Sequence, residues 1–227
     1  RNNKKIFGIG VDDTKPVSEH SLDPPEPDGE NDWYVNDLEV SLSAHDPVSM
    51  GVSSGVEMIQ YKVNDGPIQI LSGWGGTFLI TQSEDKEDVK VEYWAVDNVG
   101  NVEDSNTLYI DMDQTDPTVD LVYSVVSGNP IQGWVLEFTA TATDHTSGMD
   151  RVEFYLNEIL QSVVSGSGPT YQWSFIYHGG LNIDVRSIGY DIAGNNAIDV
   201  IEDPKPTSYN VVNQDSLFKV IVSSHKK

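Results

Sequence analysis

The sequence predicts an all-β chain that uses one sandwich fold twice. Three observations carry this: apolar and polar residues alternate along short runs, the same phrases recur in the same order in each half, and helical periodicity is scarce. In "LEVSLSA", Leu38, Val40, Leu42 and Ala44 fall on one face and Glu39, Ser41 and Ser43 on the other. "EFTATAT" sets Phe138, Ala140 and Ala142 against threonines, and "VEFYL" sets Val152, Phe154 and Leu156 on one side. "VKVEYWA" does the same with Val89, Val91, Tyr93 and Ala95. Period-two alternation of this kind makes half-buried strands.

The two halves align at four anchors. "DTKP" (Asp13 to Pro16) matches "QTDP" (Gln114 to Pro117), and "LEVSLSAHD" matches "LEFTATATD". "SGVEMIQYKVN" (Ser54 to Asn64) matches "SGMDRVEFYLN" (Ser147 to Asn157). "YWAVDNVGNVED" (Tyr93 to Asp104) matches "SIGYDIAGNNAID" (Ser187 to Asp199). The interval from Gly55 to Gly100 differs by one residue from that between Gly148 and Gly194, so the halves are two copies of one unit. The first copy carries a five-residue insertion, "PVSMGVSSG" where the second has "HTSG".

About seven short strands per roughly 100 residues, with turn signals between them, point to an immunoglobulin-like β-sandwich. On that reading "LEVSLSA" is the second strand, "MIQYKVN" the third and "VEYWAVD" the sixth. The "DNVGN" and "DIAGN" turns then lead to the seventh, with Gly and Asn supplying positive φ. The chain has no cysteine, which removes disulfides, thiol catalysis and thiolate metal sites, and with them the antibody-type framework. The phrases "AHD…SSGVEMIQYKVNDG", "WAVDNVGNVE" and "ATDHTSGMDRVEFYLN" resemble the bacterial and archaeal Ig-like repeat modules of secreted and cell-surface proteins. The resemblance covers roughly residues 12–203 and implies spacers, adhesive stalks or accessory domains of secreted hydrolases.

These boundaries give an N-terminal strand or linker at 1–11, one sandwich at 12–112, a second at 113–203, and a linker with one strand at 204–227. Residues 5–11 and 217–222 read as strands without a partner, and a lone strand is not stable in water. At least one of them is expected to pair with a sheet edge, in this chain or another. The chain has no Met start and no signal-like apolar segment, which reads as a mature or excised piece.

Charge narrows the partners. The chain holds 13 Lys+Arg against 36 Asp+Glu, a formal net of −23, and Arg1, Lys4, Lys5, Lys226 and Lys227 lie at its ends. Such a body repels phosphate backbones and anionic lipid, so nucleic acid and membrane surfaces are poor partners. No run approaches the ~18 apolar residues of a membrane span. Other surface proteins, glycans, copies of itself and divalent cations remain, in an extracellular or cell-surface setting.

Few residues suggest catalysis. "GVSSG" satisfies G-x-S-x-G around Ser53, but it sits in a loop of an all-β unit, without the strand-to-helix elbow that motif needs. The histidines at 20, 45, 145, 178 and 225 show no zinc-type spacing and read as solvated loop residues. Trp33 and Trp134 occupy equivalent places before the second strand, which favours structure. Trp74, in "SGWGGTF", and Trp94, on the outward face of its strand, are the candidate contact residues for a ligand such as a glycan.

The remaining chemistry is calcium, which takes oxygen ligands from loops. In an immunoglobulin-like topology the lead-in to the first strand, the second-to-third-strand loop and the sixth-to-seventh-strand loop meet at one end. The candidates are Asp12, Asp13, Asp46 and Asp97 in the first unit, and Asp111, Asp113, Asp144 and Asp191 in the second. The insertion after Asp46 makes the second set the stronger expectation. The competing reading is that these aspartates only make Asx turns. The sequence therefore reads as a non-catalytic spacer or adhesive segment. The alternatives are a filament subunit joined by strand exchange and a carbohydrate-binding accessory domain.

Overall fold

The computed structural model describes residues 10–180 and 182–206. The chain divides into two compact units, Arg1–Thr115 and Asp116–Lys227. The first holds β1 (Val17–Asp23), β2 (Leu38–His45), β3 (Val56–Val63), β4 (Gln69–Ser72), β5 (Gly75–Ile80), β6 (Lys86–Asp97) and β7 (Asn106–Met112). The second holds β8 (Thr118–Asn129), β9 (Gly133–Thr143), β10 (Met149–Leu156), β11 (Ile159–Ser165), β12 (Thr170–Tyr177), β13 (Asp184–Asp191) and β14 (Asn196–Glu202). Among the described residues the only helical element is a 3-10 turn at Gln82–Glu84. Of the expected terminal strands, 217–222 lies outside the described residues, as does all of 5–11 except Gly10 and Val11, which are not in a strand.

Each unit is a sandwich of a three-stranded and a four-stranded antiparallel sheet. The orders are β1-β2-β5 and β4-β3-β6-β7 in the first unit, and β8-β9-β12 and β11-β10-β13-β14 in the second. This is the immunoglobulin-like, all-β architecture expected from the sequence, with one difference in detail. In the constant-type immunoglobulin order the fourth strand joins the first sheet. Here β4 and β11 pair with β3 and β10 instead. The turns explain this. Asn64 and Asp65 (φ 49° and 57°), and Asn157 and Glu158 (φ 46° and 66°), are left-handed. Paired left-handed residues form the tight hairpin turn that returns the chain beside the strand it has just left.

The alternating residues point inward as their spacing requires. Leu38, Val40, Val89, Val91 and Ala95 are fully buried in the first core, with Tyr93 and Leu42 nearly so. Phe138, Ala140, Ala142, Val152 and Phe154 are fully buried in the second. Each large side chain so placed contributes roughly 1.5–3 kcal/mol relative to exposure. The second core is more aromatic, with Phe138 stacked on Tyr123 and Phe175 at centroid distances of 5.7 and 5.9 Å.

Both units share one bulge at an equivalent place. The register slips between Val56 and Met58 where β3 meets β6, and between Met149 and Arg151 where β10 meets β13. Each bulge lies beside the last residue of the sixth strand of its unit, Asp97 or Asp191, opposite Val56 or Met149. A bulge ends the regular pairing and re-aims the side chains next to it. The fold thereby brings the closing aspartate to the loop end of each sandwich.

Candidate metal centre

The recurring phrases are two halves of one device. "SG" starts the third strand and "DxxGN" ends the sixth, and the backbone joins them. Asn98 N–H donates to Gly55 O (2.9 Å), and Ile192 N–H donates to Gly148 O (2.8 Å). Gly55 and Gly148 have φ of +80° and +85°, which glycine adopts without the steric cost of a Cβ. Within the turn, Asp97 N–H donates to Asn101 O and Asp191 N–H to Asn195 O, each at 3.1 Å. The carboxylates close it. Asp97 Oδ1 accepts from Val99 N (3.0 Å) and Asn101 N (2.7 Å), and its Oδ2 from Asn101 Nδ2 (2.7 Å). Asp191 Oδ1 accepts from Gly194 N (2.7 Å) and Asn195 N (2.8 Å). Both aspartates are wholly shielded from solvent.

In the first unit three of the expected residues converge. Carboxylate oxygens of Asp12, Asp46 and Asp97 lie within 4.8 Å of one another. Asp12, from the lead-in to β1, accepts from Thr14 Oγ1 (2.7 Å) and Ser54 N (2.6 Å). The Thr14 hydroxyl, followed by Ser54, lowers the Asp12 carboxyl to a pKa of about 2. Asp97 is also held below the usual carboxylate range: burial opposes its ionisation, but the bonds from Asn101 and Val99 outweigh it. Asp46 Oδ2 accepts from Gly55 N (2.8 Å) and Ser53 Oγ (3.0 Å). Asp46 Oδ1 is buried and receives no hydrogen bond.

The insertion does not displace Asp46. Ser49 and Val52 exchange two 2.9 Å backbone bonds, and Ser53, Ser54 and Gly55 then fold back onto the Asp46 carboxylate. Sequence reasoning missed Thr14, Ser54, Asn98 and Asn101 as the groups that hold this end. The Asn of "DxxGN" could have been read as the turn's donor to its own aspartate. Asp13 is exposed and lies outside the carboxylate group. In the second unit Asp144 and Asp191 bring carboxylate oxygens within 4.8 Å of each other. Asp144 Oδ1 accepts from Thr146 N (3.0 Å) and Gly148 N (2.7 Å). Asp111 and Asp113 belong to the first unit. Asp111 accepts from Asp88 N (2.8 Å), while Asp113 is buried and accepts from Thr115 N (3.1 Å).

The other candidates resolve simply. Ser53 gives its hydroxyl to the Asp46 carboxylate and carbonyl (3.0 and 3.1 Å), and the loop runs into β3 rather than a helix. His20 is not a loop residue: it lies on β1, and its Nδ1 is 2.8 Å from the Tyr93 hydroxyl. His45, His145 and His178 are exposed. Trp33 is buried, and Trp134 packs on the second core. Trp74 is 73% exposed at the β4–β5 turn. Trp94 is half-buried, donates to Gln60 Oε1 (2.8 Å) and has the Lys62 ammonium 5.9 Å from its ring centroid.

Comparison with known proteins adds little beyond the fold. No family model and no curated protein matches the chain. Among solved structures, the fibronectin(III)-like modules of Clostridium thermocellum CbhA match at 20% identity, covering 81% of this chain and 92% of theirs, with a TM-score of 0.36. The D00-D0 domain of Intimin matches at 15% identity, covering 82% of this chain and all of its own, with a TM-score of 0.34. At such scores neither likeness bears on function, and the fold assignment stands on the strand order above.

Proposed function

We propose that the chain is a non-catalytic segment of an extracellular or cell-surface protein. Its two sandwiches act as spacer or adhesive modules, and the loop end of the first holds calcium. The observation that carries this reading is the convergence of Asp12, Asp46 and Asp97 from the lead-in to β1, the β2–β3 loop and the end of β6, with Asp46 Oδ1 buried and undonated. Three carboxylates so close repel one another, and a divalent cation turns that repulsion into attraction. The donors are all hard oxygens held on loops, the set calcium prefers, whereas magnesium demands a tighter octahedron. Extracellular calcium at millimolar levels would occupy even a weak site.

Bound there, the ion would tie the lead-in to β1, the β2–β3 loop and the β6–β7 turn into one rigid end. A spacer needs that stiffness. The test is thermal unfolding of the whole chain in calcium and then in chelator. A ligand bound only by the folded state raises the midpoint. The reading requires a higher midpoint in calcium, and coincident curves would reject it. A contact role for Trp74 rests on its exposure at the turn that carries the chain from β4 to β5. Trp74→Ala would then weaken attachment to a glycan or protein surface while leaving the unfolding midpoint in place.

A further inference from the structure

The sandwich of the second unit has two kinds of edge. Along β8 and β14 the edge is blocked: the Asp199 carboxylate on β14 accepts from the Leu121 amide of β8 (2.7 Å). The first unit uses the same device, with Glu103 accepting from Ser18 N (2.9 Å) on β1. The opposite side of the second unit, at β11 and β12, is built otherwise. In a chain with 22% charged residues, positions 159–177 carry none. β11 is interrupted by a register shift opposite Phe154 and Tyr155. β12 has no such break. It pairs with β9 in continuous register from Thr170 opposite Thr141 to Tyr177 opposite Trp134, and among the described residues β9 is its only strand neighbour. It contains no glycine, proline or charge. The corresponding β5 is shorter and opens with Gly75 and Gly76.

Natural sheets blunt their free edges with charge, proline or bulges, and an edge without them is a template for another strand. The side chains of β12 point the same way. Trp173 and Phe175 face the core but remain only half-buried, although Phe138 and Phe154 beneath them are fully buried. Part of each ring is left for something to cover.

We propose that β12 is completed by the chain's own segment Leu217–Val222. This segment lies outside the described residues, but its sequence and its reach suit the role. In "LFKVIV", Phe218, Val220 and Val222 alternate with Leu217, Lys219 and Ile221, so one face of an added strand can lie over the Trp173 and Phe175 rim. Charge favours the match. Residues 207–227 hold three lysines (Lys219, Lys226 and Lys227) and a single acid, Asp215, so the tail is basic and the body it would join is strongly acidic. Residues 207–216, the connection from Pro206, span at most roughly 36 Å when extended. A sandwich of this size is roughly 35 Å across. The segment can therefore reach β12 of its own unit. Tethering gives it an effective concentration on the order of millimolar, well above that of another copy's tail in dilute solution.

The experiment compares the full-length chain with full-length Val220→Asp, which puts a charge on the covering face and leaves both described cores untouched. Backbone amide exchange is followed across Thr170–Tyr177, with sedimentation velocity on the same samples. The expected result is a monomer in both cases, with alternate β12 amides exchanging roughly tenfold faster in the variant and β9 unchanged. Equal exchange in the two proteins would overturn the proposal. So would a wild-type dimer that the substitution dissolves, because the strand would then come from a second copy. Calcium is irrelevant to either outcome, so the result is independent of the cation reading.

Discussion

Asp46→Asn separates a cation site from an ordinary turn, because the two readings give opposite signs. Asp46, Asp12 and Asp97 present carboxylate oxygens within 4.8 Å of one another. Two unit charges at that distance repel by about 3–4 kcal/mol at an effective dielectric of about 20. Asp46 is partly open to water, so screening reduces its total burden to about 1–2 kcal/mol. Asparagine keeps one oxygen for Gly55 N and Ser53 Oγ and removes one negative charge from the group. In chelator the variant is therefore expected to be more stable than the wild type by about 1–2 kcal/mol. In millimolar calcium the order reverses, because the variant loses a ligand and with it the stabilisation that binding gives the wild type, about 2.7 kcal/mol at a hundredfold excess over Kd. Urea unfolding of both proteins in chelator and in calcium measures all four values. An Asp46→Asn variant less stable than the wild type in chelator would refute the repulsion argument. The carboxylate would then be there for its hydrogen bonds.

Acid should weaken the first unit. The Asp12 carboxyl is depressed from 3.8 to about 2, so its contribution is present above its unfolded value and is lost as pH falls from about 4 towards 2. Asp97, also depressed, acts in the same direction, and circular dichroism across that range should show the loss. Gly100→Ala, at φ +93° with nothing within 4 Å of the new Cβ, should cost about 1–2 kcal/mol from backbone strain alone, read by chemical unfolding. Glu103→Ala removes the acceptor for Ser18 N, Ser18 Oγ and Ala95 N. It should cost about 2–3 kcal/mol and speed amide exchange at Ser18 and Ala95.

Much of this architecture was legible in the sequence because alternation fixes which side chains face inward. Leu38, Val40, Val91, Phe138 and Phe154 had to be buried once those runs were read as strands, and they are. The partner of the fourth strand was harder. It depends on two left-handed residues at each hairpin, which "VNDG" signals but "LNEI" signals only weakly. His20 was misplaced because β1 is short of inward-facing apolar residues, so its alternation is faint and its bond to Tyr93 is a tertiary fact. At the loop end, the repeated phrases marked Asp97 and Asp191. The grip of Ser53, Ser54 and Gly55 on Asp46 could not be read, because it needs the folded path of the insertion. The roles of Glu103 and Asp199 were hidden likewise: each protects an amide far away in sequence, and nothing local requires an acid there.

Calorimetric titration of the full-length chain with calcium, at physiological salt and with magnesium present, decides whether Asp12, Asp46 and Asp97 hold a cation. Physiological salt suppresses diffuse association with so acidic a surface. A saturable calcium-selective transition is expected in the wild type and is expected to be lost in Asp46→Asn, with both proteins fully folded by circular dichroism. A wild-type titration that shows only weak, non-saturating heats, or one that Asp46→Asn leaves unchanged, would contradict a cation site there.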